Sequence, residues 1–336
     1  MTAPFDVLTE LYVDGAWTDI STDVLHRDGH SIKRGKSEYA QQASPSELDL
    51  SLKNTAGKYS PRNPLSPYYG KIGRNTPIRV SRQVDPVYDA VSSTSGTGDL
   101  SWTHTTAAAP TGVLVFVWQY DTNAGQINSV TYGGVPMTRV IFGLFTMGAF
   151  QAVGYAYWLN RDIPTGNQTV VVDTTAVKNR YASAITVTGG ETAELEFTTT
   201  AYSNATPTTN PNTTKTTTHR SIIFGTLLSE LDDGSTIAPQ VGYTQLDELD
   251  IGTETVNTDR TTLVLPPALY SIGWTQTPAA HWGIMGVAVR AVSYRFWGEA
   301  SSFPPKWDLT GTANVWVPLE AAGQLRRLGQ GTDPAE

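Results

Sequence analysis

Short runs in which apolar and polar residues alternate recur along most of the chain. In LDLSLK, Leu48, Leu50 and Leu52 alternate with polar residues. Successive side chains of a β-strand point to opposite faces of the sheet, so this run predicts a strand with one buried face. Nearer the start, Asp14-Gly15 separates two short apolar runs, which is the pattern of a two-residue β-hairpin. The pattern predicts an all-β protein.

The middle of the chain consists of short β-rich runs separated by Gly, Pro, Asn and Asp, a spacing typical of a sandwich or barrel. The run at 112–120 is apolar at both alternating sets of positions, which predicts a central strand. A Thr-rich stretch, Thr198–Arg220, indicates a polar loop or a ragged sheet edge. We therefore predict a jelly-roll-like β-sandwich over residues 84–292. Its expected strands lie in GVLVFVWQY, INSVTYGGVPMT, AFQAVGYAYWLN, QTVVVDTT, YASAITVTG, RSIIFGTLL, TTLVL and WGIMGVAVRAV.

The sandwich is predicted to interrupt a smaller β-domain formed by residues 1–83 and 293–336. One strand near Thr76–Arg82 runs into the insert, and another at Ser293–Glu299 runs out of it. If these strands pair antiparallel, the insert replaces a hairpin turn. Hairpin tips tolerate such insertions because loop-closure entropy grows slowly with length.

One helix is predicted, from about Leu319 to Leu328, after a short strand at Asn314–Val317. Leu325 and Leu328 lie three residues apart and would share one helix face, and Gly329 follows as a C-terminal stop.

Charge and cysteine content exclude several classes of protein. The formal net charge is −8, which disfavours nucleic-acid binding because phosphate contacts dominate that affinity. The chain has no cysteine, so it forms neither disulfides nor thiolate metal sites. Its longest apolar run, around Gly112–Trp118, is too short to span a bilayer, and the N-terminus shows no signal peptide. We expect synthesis in the cytoplasm and no membrane span.

The flanking segments resemble minor tail proteins of tailed phages and prophages of actinobacteria, which are similar to the first domain of tail hub and tail-tip proteins. The resemblance rests on Ile32–Ser37, on LDLSLKNTAGKYSPRNPLSPYYGKIGRNTPIRV, on YRFWGEASSFPPKWD and on VWVPLEAAGQLRRLGQG. The insert is more weakly similar to β-sandwich modules of phage tail and bacterial surface proteins, through SVTYGG at 129–134 and YWLN at 157–160. Both motifs are interpreted as structural, with glycines for a turn and aromatics for a core.

The resemblance implies a structural, non-enzymatic component of the virion tail tip or baseplate, with other tail proteins as partners. It also implies a homo-oligomer, for which a trimer, the state that favours the hub, is the expectation, and a hexamer, which would favour a distal tail ring, is the alternative. A third reading is a host-adhesion module whose sandwich binds a cell-surface glycan.

The segment Asn54–Val80 combines several prolines and tyrosines with basic residues. Proline restricts φ and lowers the entropy lost on ordering, and tyrosine offers a large amphipathic surface. Such a loop suits a fixed contact with a neighbouring subunit. Alternatively, its tyrosines cover the domain's own core and its basic residues are solvated. The residues expected at the contact are Arg62, Tyr68, Tyr69, Lys71 and Arg74.

Motifs for catalysis and metal binding are missing from the sequence. The five histidines are scattered, and neither HExxH, GxSxG nor a phosphate-binding loop is present. We predict no enzyme activity, no cofactor and no metal. The acidic runs SELDDGS (Glu230 to Ser235) and DELDIGTE (Asp247–Glu254) are interpreted mainly as solvated turns, with a cation site or a catalytic carboxylate pair as alternatives.

Aromatic residues of the insert are the remaining candidates for binding. Trp118 and Trp282 lie in apolar strands and are expected in the core. Trp274 and Tyr120 lie at more loop-like positions. If a glycan binds, these two residues are the expected stacking surface.

Overall fold

The computed structural model describes residues 7–25, 30–33, 45–120, 126–148, 150–203, 206–231, 236–251, 254–307 and 315–323. Within these residues the protein is nearly all β, with several antiparallel sheets and two 3-10 helical turns, Ser21–Asp23 and Thr55–Gly57. The predicted all-β class is confirmed. The chain divides into a split unit, Met1–Gln83 with Ser293–Glu336, and an inserted unit, Val84–Val292.

The split unit is built on one sheet in the order β2-β1-β5-β22-β24-β4-β3, with β23 beside β24. Two strands far apart in sequence, β5 and the last part of β22, are therefore neighbours. The strands are β1 (Val7–Val13), β2 (Ala16–Asp19), β3 (Ser31–Lys33), β4 (Glu47–Lys53), β5 (Pro77–Val84), β22 (Trp282–Ser302), β23 (Lys306–Trp307) and β24 (Val315–Gly323).

The core of the split unit lies on one face of this sheet. Leu48, Leu50 and Leu52 are buried while the residues between them are partly exposed, as the alternation predicts. Apolar residues of β1, β5, β22 and β24 join them in one cluster. At the β1–β2 turn, Asp14 and Gly15 both have positive φ, 53° and 82°, so the predicted hairpin is confirmed.

The predicted C-terminal helix is wrong where the structure describes it. Residues 319–323 belong to strand β24, which pairs with β4 and places Leu319 opposite Leu50. Cross-strand burial of Val317, Leu319 and Ala321 in the core outweighs the local helical pattern. Leu325, Leu328 and Gly329 lie outside the described residues.

The first half of the inserted unit is a β-sandwich. A five-stranded sheet in the order β11-β12-β8-β14-β6 faces a smaller sheet, β10-β9-β13-β7. The SVTYGG motif makes the turn after β9, with Gly133 and Gly134 at positive φ. The strands are β6 (Val87–Thr97), β7 (Leu100–His104), β8 (Gly112–Tyr120), β9 (Ile127–Tyr132), β10 (Val135–Pro136), β11 (Thr138–Met147), β12 (Phe150–Leu159), β13 (Gln168–Thr174) and β14 (Asn179–Thr188).

The second half repeats this topology, except that its outer sheet has three strands in the described residues where that of the first half has four. Strands β19-β20-β17-β22-β15 form the inner sheet and β18-β21-β16 the outer one, so each strand occupies the place of its counterpart in the first half. The strands, with the first part of β22, are β15 (Thr192–Tyr202), β16 (Asn212–Thr216), β17 (Ile222–Ser229), β18 (Thr236–Pro239), β19 (Tyr243–Ile251), β20 (Glu254–Thr261) and β21 (Leu269–Thr277).

The inserted unit thus contains two sandwiches where the sequence predicted one. Their inner sheets pack face to face through a large apolar cluster that includes Trp118, Trp158 and Met285. Each inner sheet is also covered on its other face by its own outer sheet. The central strands β8 and β17 are therefore buried on both faces, which explains why both read as continuous apolar runs.

Candidate functional site

The loop between β4 and β5 is held in one conformation by buried polar contacts. The Asn54 side chain is fully buried; its Oδ1 accepts from the Tyr59 backbone N–H at 2.7 Å, and its Nδ2 donates to Ser60 Oγ at 3.0 Å. The Tyr59 hydroxyl donates to Asp23 Oδ2 at 2.6 Å, and Lys58 Nζ donates to the same oxygen at 2.6 Å. Tyr59 covers the domain's own core, so the alternative interpretation holds for this tyrosine.

The five residues predicted at a subunit contact lie on this loop at different depths. Arg62, Tyr69, Lys71 and Arg74 are exposed, with Tyr69 at 52%. Tyr68 is half-buried and packs on the core, and its ring lies tilted against that of Tyr59, with the ring centroids 5.5 Å apart.

The exposed side of the loop also carries an apolar residue that the sequence analysis missed, since Leu65 is 90% exposed. The loop therefore presents Leu65 and Tyr69 among basic side chains.

A second surface of the split unit is an aromatic cluster on the sheet. Its four members are in edge-on contact: ring centroids are 5.3 Å apart for Tyr12 and Trp17, 5.4 Å for Trp17 and Trp297, and 5.0 Å for Tyr294 and Trp297. Tyr12 is exposed and the other three are partly exposed. We call this group the aromatic face.

Arg79 on β5 lies beneath the aromatic face. Its guanidinium carbon is 4.3 Å from the Trp17 ring centroid, and its Nη1 donates to the Tyr294 hydroxyl at 2.9 Å. Nε and Nη2 donate to the two carboxylate oxygens of Glu10 at 2.6 and 3.1 Å, and both side chains are 4% exposed. This two-pronged pair neutralises the buried charge and fixes the rings above it.

The aromatic face and the loop are joined through the β1–β2 hairpin. Lys71 Nζ donates to Asp14 Oδ2 at 2.7 Å, and Asp14 lies in the turn between Tyr12 and Trp17. The joined area is called the hairpin–loop surface. Tyr, Trp and Arg are the residues enriched at the energetic centres of protein interfaces, so this surface is suited chemically to binding another protein.

Tyr120, a candidate for glycan stacking, lies at the end of β8 and is partly exposed. Its pKa is raised, first by burial and then by the negative charges of Glu254 and Glu230, and its hydroxyl hydrogen-bonds with Glu254. Burial raises the pKa of Glu230, and the Glu254 charge adds to this, while His281 opposes it. Folding thus brings Tyr120 together with one acidic residue from each run.

In its described residues, 247–251 and 254, the acidic run forms strand and not the expected turn, while Glu248 is exposed to solvent as expected. Asp247 and Glu248 lie on β19 and Glu254 on β20, where Glu254 is 4% exposed. Asp247 Oδ2 accepts from the Tyr181 hydroxyl at 2.9 Å. Asp232 and Asp233 lie outside the described residues. Among the residues described, no cluster of three or more His, Asp or Glu side chains is placed to hold a metal ion.

Trp274 is not available for stacking on a sugar. Trp274 belongs to β21, and its side chain is fully buried in the apolar cluster between the sheets of the second sandwich. Its Nε1 donates to Asn257 Oδ1 at 2.9 Å. Its loop-like context in the sequence was misleading, because β21 continues through Trp274 and turns the indole inward. Trp118 and Trp282 are buried as predicted.

Comparisons of the chain with protein-family models, with curated proteins and with solved structures give no match. In the part of the chain that is described, no helix is long and apolar enough to cross a membrane.

Proposed function

We propose that this protein is a structural, homo-oligomeric component of a phage tail tip or baseplate, and that the hairpin–loop surface forms its contact with a neighbouring subunit. The observation that carries the proposal is this surface, where an exposed leucine and tyrosine, basic side chains and four aromatic rings lie on one unit. The resemblance of the flanking segments to minor tail proteins supplies the kind of assembly.

The hairpin–loop surface is held in one conformation, which favours a fixed contact with another subunit. Side chains that are already held in place lose little entropy on binding, which leaves more of the interaction energy as affinity. The Arg79–Glu10 pair holds the rings, and the Asn54 and Asp23 contacts hold the loop. Both halves of the surface are therefore pre-organised.

The inserted unit supports an architectural role in a different way. Its apolar clusters consist entirely of its own residues, so it needs no contribution from a partner to bury its core. In the proposed assembly the split unit makes the repeating contact and the inserted unit is a self-contained module that it carries.

The test is the mass of the native assembly for two loop variants. Arg62→Glu with Arg74→Glu reverses the basic charge, and Leu65→Ser with Tyr69→Ala removes the exposed apolar area. Truncation of a residue at the centre of an interface costs about 2 kcal/mol or more, so the second variant should dissociate roughly 30-fold more readily. Native mass spectrometry across a concentration series would measure this.

Lys215→Glu provides a matched control, because it reverses an exposed charge on β16 of the inserted unit. It should leave the assembly unchanged. Three subunits would favour the hub and six the distal tail ring. A wild-type chain that stays monomeric at high concentration, or an assembly that survives both loop variants, would contradict the proposal.

A further inference from the structure

A continuous chain of hydrogen bonds crosses the first sandwich at the edge strands β6 and β7. Trp102 Nε1 donates to Ser92 Oγ at 2.9 Å, and Ser92 Oγ lies 2.7 Å from His104 Nδ1. On the other side of the imidazole, His104 Nε2 lies 3.1 Å from Thr186 Oγ1, which donates to Asp89 Oδ2 at 3.1 Å.

The two ends of this chain fix the direction of every proton in it. At one end the Trp102 indole N–H can only donate, and at the other end Asp89 Oδ2 accepts from Thr186 Oγ1. Thr186 donates to Asp89, so its oxygen accepts from His104 Nε2–H. His104 Nδ1 is then the unprotonated nitrogen and accepts from the Ser92 hydroxyl, which is the arrangement of a serine beside a general base.

We propose that Ser92 is a base-activated nucleophile, and hence a site of covalent modification by small acyl or phosphonyl electrophiles. His104 is its base. Thr186 is a positioning residue, because it bonds to His104 Nε2 and to Asp89 and so links the imidazole to that carboxylate. The proposal is independent of the role in tail assembly.

The environment of His104 keeps its nitrogen available. The side chain is fully buried, and burial lowers its pKa, an effect that the charge of Asp89 on β6 partly opposes. Among the described residues, Tyr132 on β9 also faces the ring, with ring centroids 6.0 Å apart. Burial raises the pKa of Tyr132 to about 12, so this phenol stays neutral. Neutral His104 can therefore accept a proton from Ser92 at neutral pH.

The reaction balances without a further co-reactant. With a fluorophosphonate, the Ser92 oxygen forms a bond to phosphorus, the phosphorus–fluorine bond breaks and fluoride leaves. The hydroxyl proton passes to His104 Nδ1 and then to solvent. With an activated ester, the same oxygen forms the acyl bond and the alcohol leaves with the proton. The hydrogen bond from the Trp102 N–H holds Ser92 Oγ in place beside His104 Nδ1.

The experiment is to label the native, full-length protein with a fluorophosphonate probe and to locate the adduct by peptide mass mapping. Ser93 is the internal control, because it neighbours Ser92 on β6 and points to the opposite face of the strand. A general base contributes roughly 10²–10⁴-fold, so Ser92 should be labelled at least about 100-fold faster than Ser93. The wild-type rate should stay flat from pH 8 to below the ordinary histidine pKa of about 6.5.

Variants then separate a reactive site from a merely buried hydrogen-bond chain. His104→Gln should reduce labelling of Ser92 by about 100-fold or more. Thr186→Val should lower the rate and shift its pH profile, and Thr186→Ser, which restores the hydroxyl, should recover both.

Equal labelling of Ser92 and Ser93 in the native protein would overturn the proposal, and that comparison needs no variant to fold. Labelling of Ser92 that is no faster than in the urea-unfolded chain would overturn it as well. An unchanged rate in His104→Gln would exclude His104 as the base.

Discussion

Asp259 is an acidic side chain that is fully buried on β20. Among the described residues, neither carboxylate oxygen has a side-chain partner, and both oxygens are screened from solvent. Burial raises its pKa well above the ordinary value, because removal from water penalises the charged form. The folded state therefore binds this proton more tightly than the unfolded state does. Stability should be highest below the unfolded pKa of about 4 and should fall as the pH rises toward the folded pKa.

Asp259→Asn removes this titration while keeping the shape of the side chain. The variant should be more stable than the wild type at pH 7, because folding then no longer requires Asp259 either to bind a proton or to bury a charge. Its advantage should disappear near pH 4. Chemical denaturation at several pH values measures both effects, with Asp173→Asn, a partly exposed strand aspartate, as the control. If the two variants share one pH profile, the buried carboxylate does not govern this dependence.

At the scale of elements, the loop between β4 and β5 shows how a segment without strands becomes ordered. Asp23 accepts from both Lys58 and Tyr59 at 2.6 Å. Desolvation raises the pKa of Asp23, but these hydrogen bonds and the Lys58 charge outweigh it, so the net pKa is lowered. This contact therefore stabilises the fold at neutral pH and is lost as the pH falls through the lowered pKa.

Tyr59→Phe should loosen the loop, because it removes a hydrogen bond to a charged oxygen. Such bonds contribute about 1.5–3 kcal/mol. We expect a lower midpoint in chemical denaturation and faster amide exchange across residues 57–72. Tyr69→Phe is the matched control, since Tyr69 is exposed on the same loop, and it should leave both measurements unchanged. Equal effects of the two substitutions would show that the Asp23 contact does not order the loop.

The whole molecule has separate apolar cores for its two units. Among the described residues, one cluster is formed by residues of the split unit, and three others are formed by residues of the inserted unit. Because hydrophobic burial is the main source of cooperativity, each unit is expected to melt as its own transition in calorimetry.

Two core substitutions test this expectation. Trp118→Ala opens a cavity in the inserted unit and should destabilise it by about 3–5 kcal/mol, and Leu50→Ala should destabilise the split unit by about 2–5 kcal/mol. Each should lower one calorimetric transition and leave the other in place. A single transition that shifts with either substitution would mean that the units unfold together.

Local sequence patterns correctly predicted strands and turns that can be recognised from a few consecutive residues. The sequence predicted the buried face of β4, the Asp14-Gly15 hairpin and the central position of β8. Each is visible within a short segment, because side chains two residues apart on a strand share one face. The Thr-rich stretch at 198–220 was predicted to be a loop or a sheet edge. It contains the end of β15 and all of β16, and both are edge strands. Threonine is β-branched and therefore favours strands.

The candidate sites were harder to predict, because the burial of a side chain and its hydrogen-bond partners depend on strands that are distant in sequence. Trp274 was predicted to be accessible and is buried. Trp17 and Trp297 were not predicted as binding residues, yet they lie in the aromatic face. The signal available for that face was the clustering of aromatic residues at both ends of the chain. No spacing rule links Ser92, His104 and Thr186, which three strands bring together.

The sequence by itself determined the all-β class, most strand positions and the absence of cysteine chemistry, because side-chain alternation and composition are local properties. Only the tertiary structure decided that the insert contains two sandwiches, that residues 319–323 form a strand, and which polar groups meet. These depend on which face of each sheet another sheet covers, and that is fixed by contacts between segments far apart along the chain.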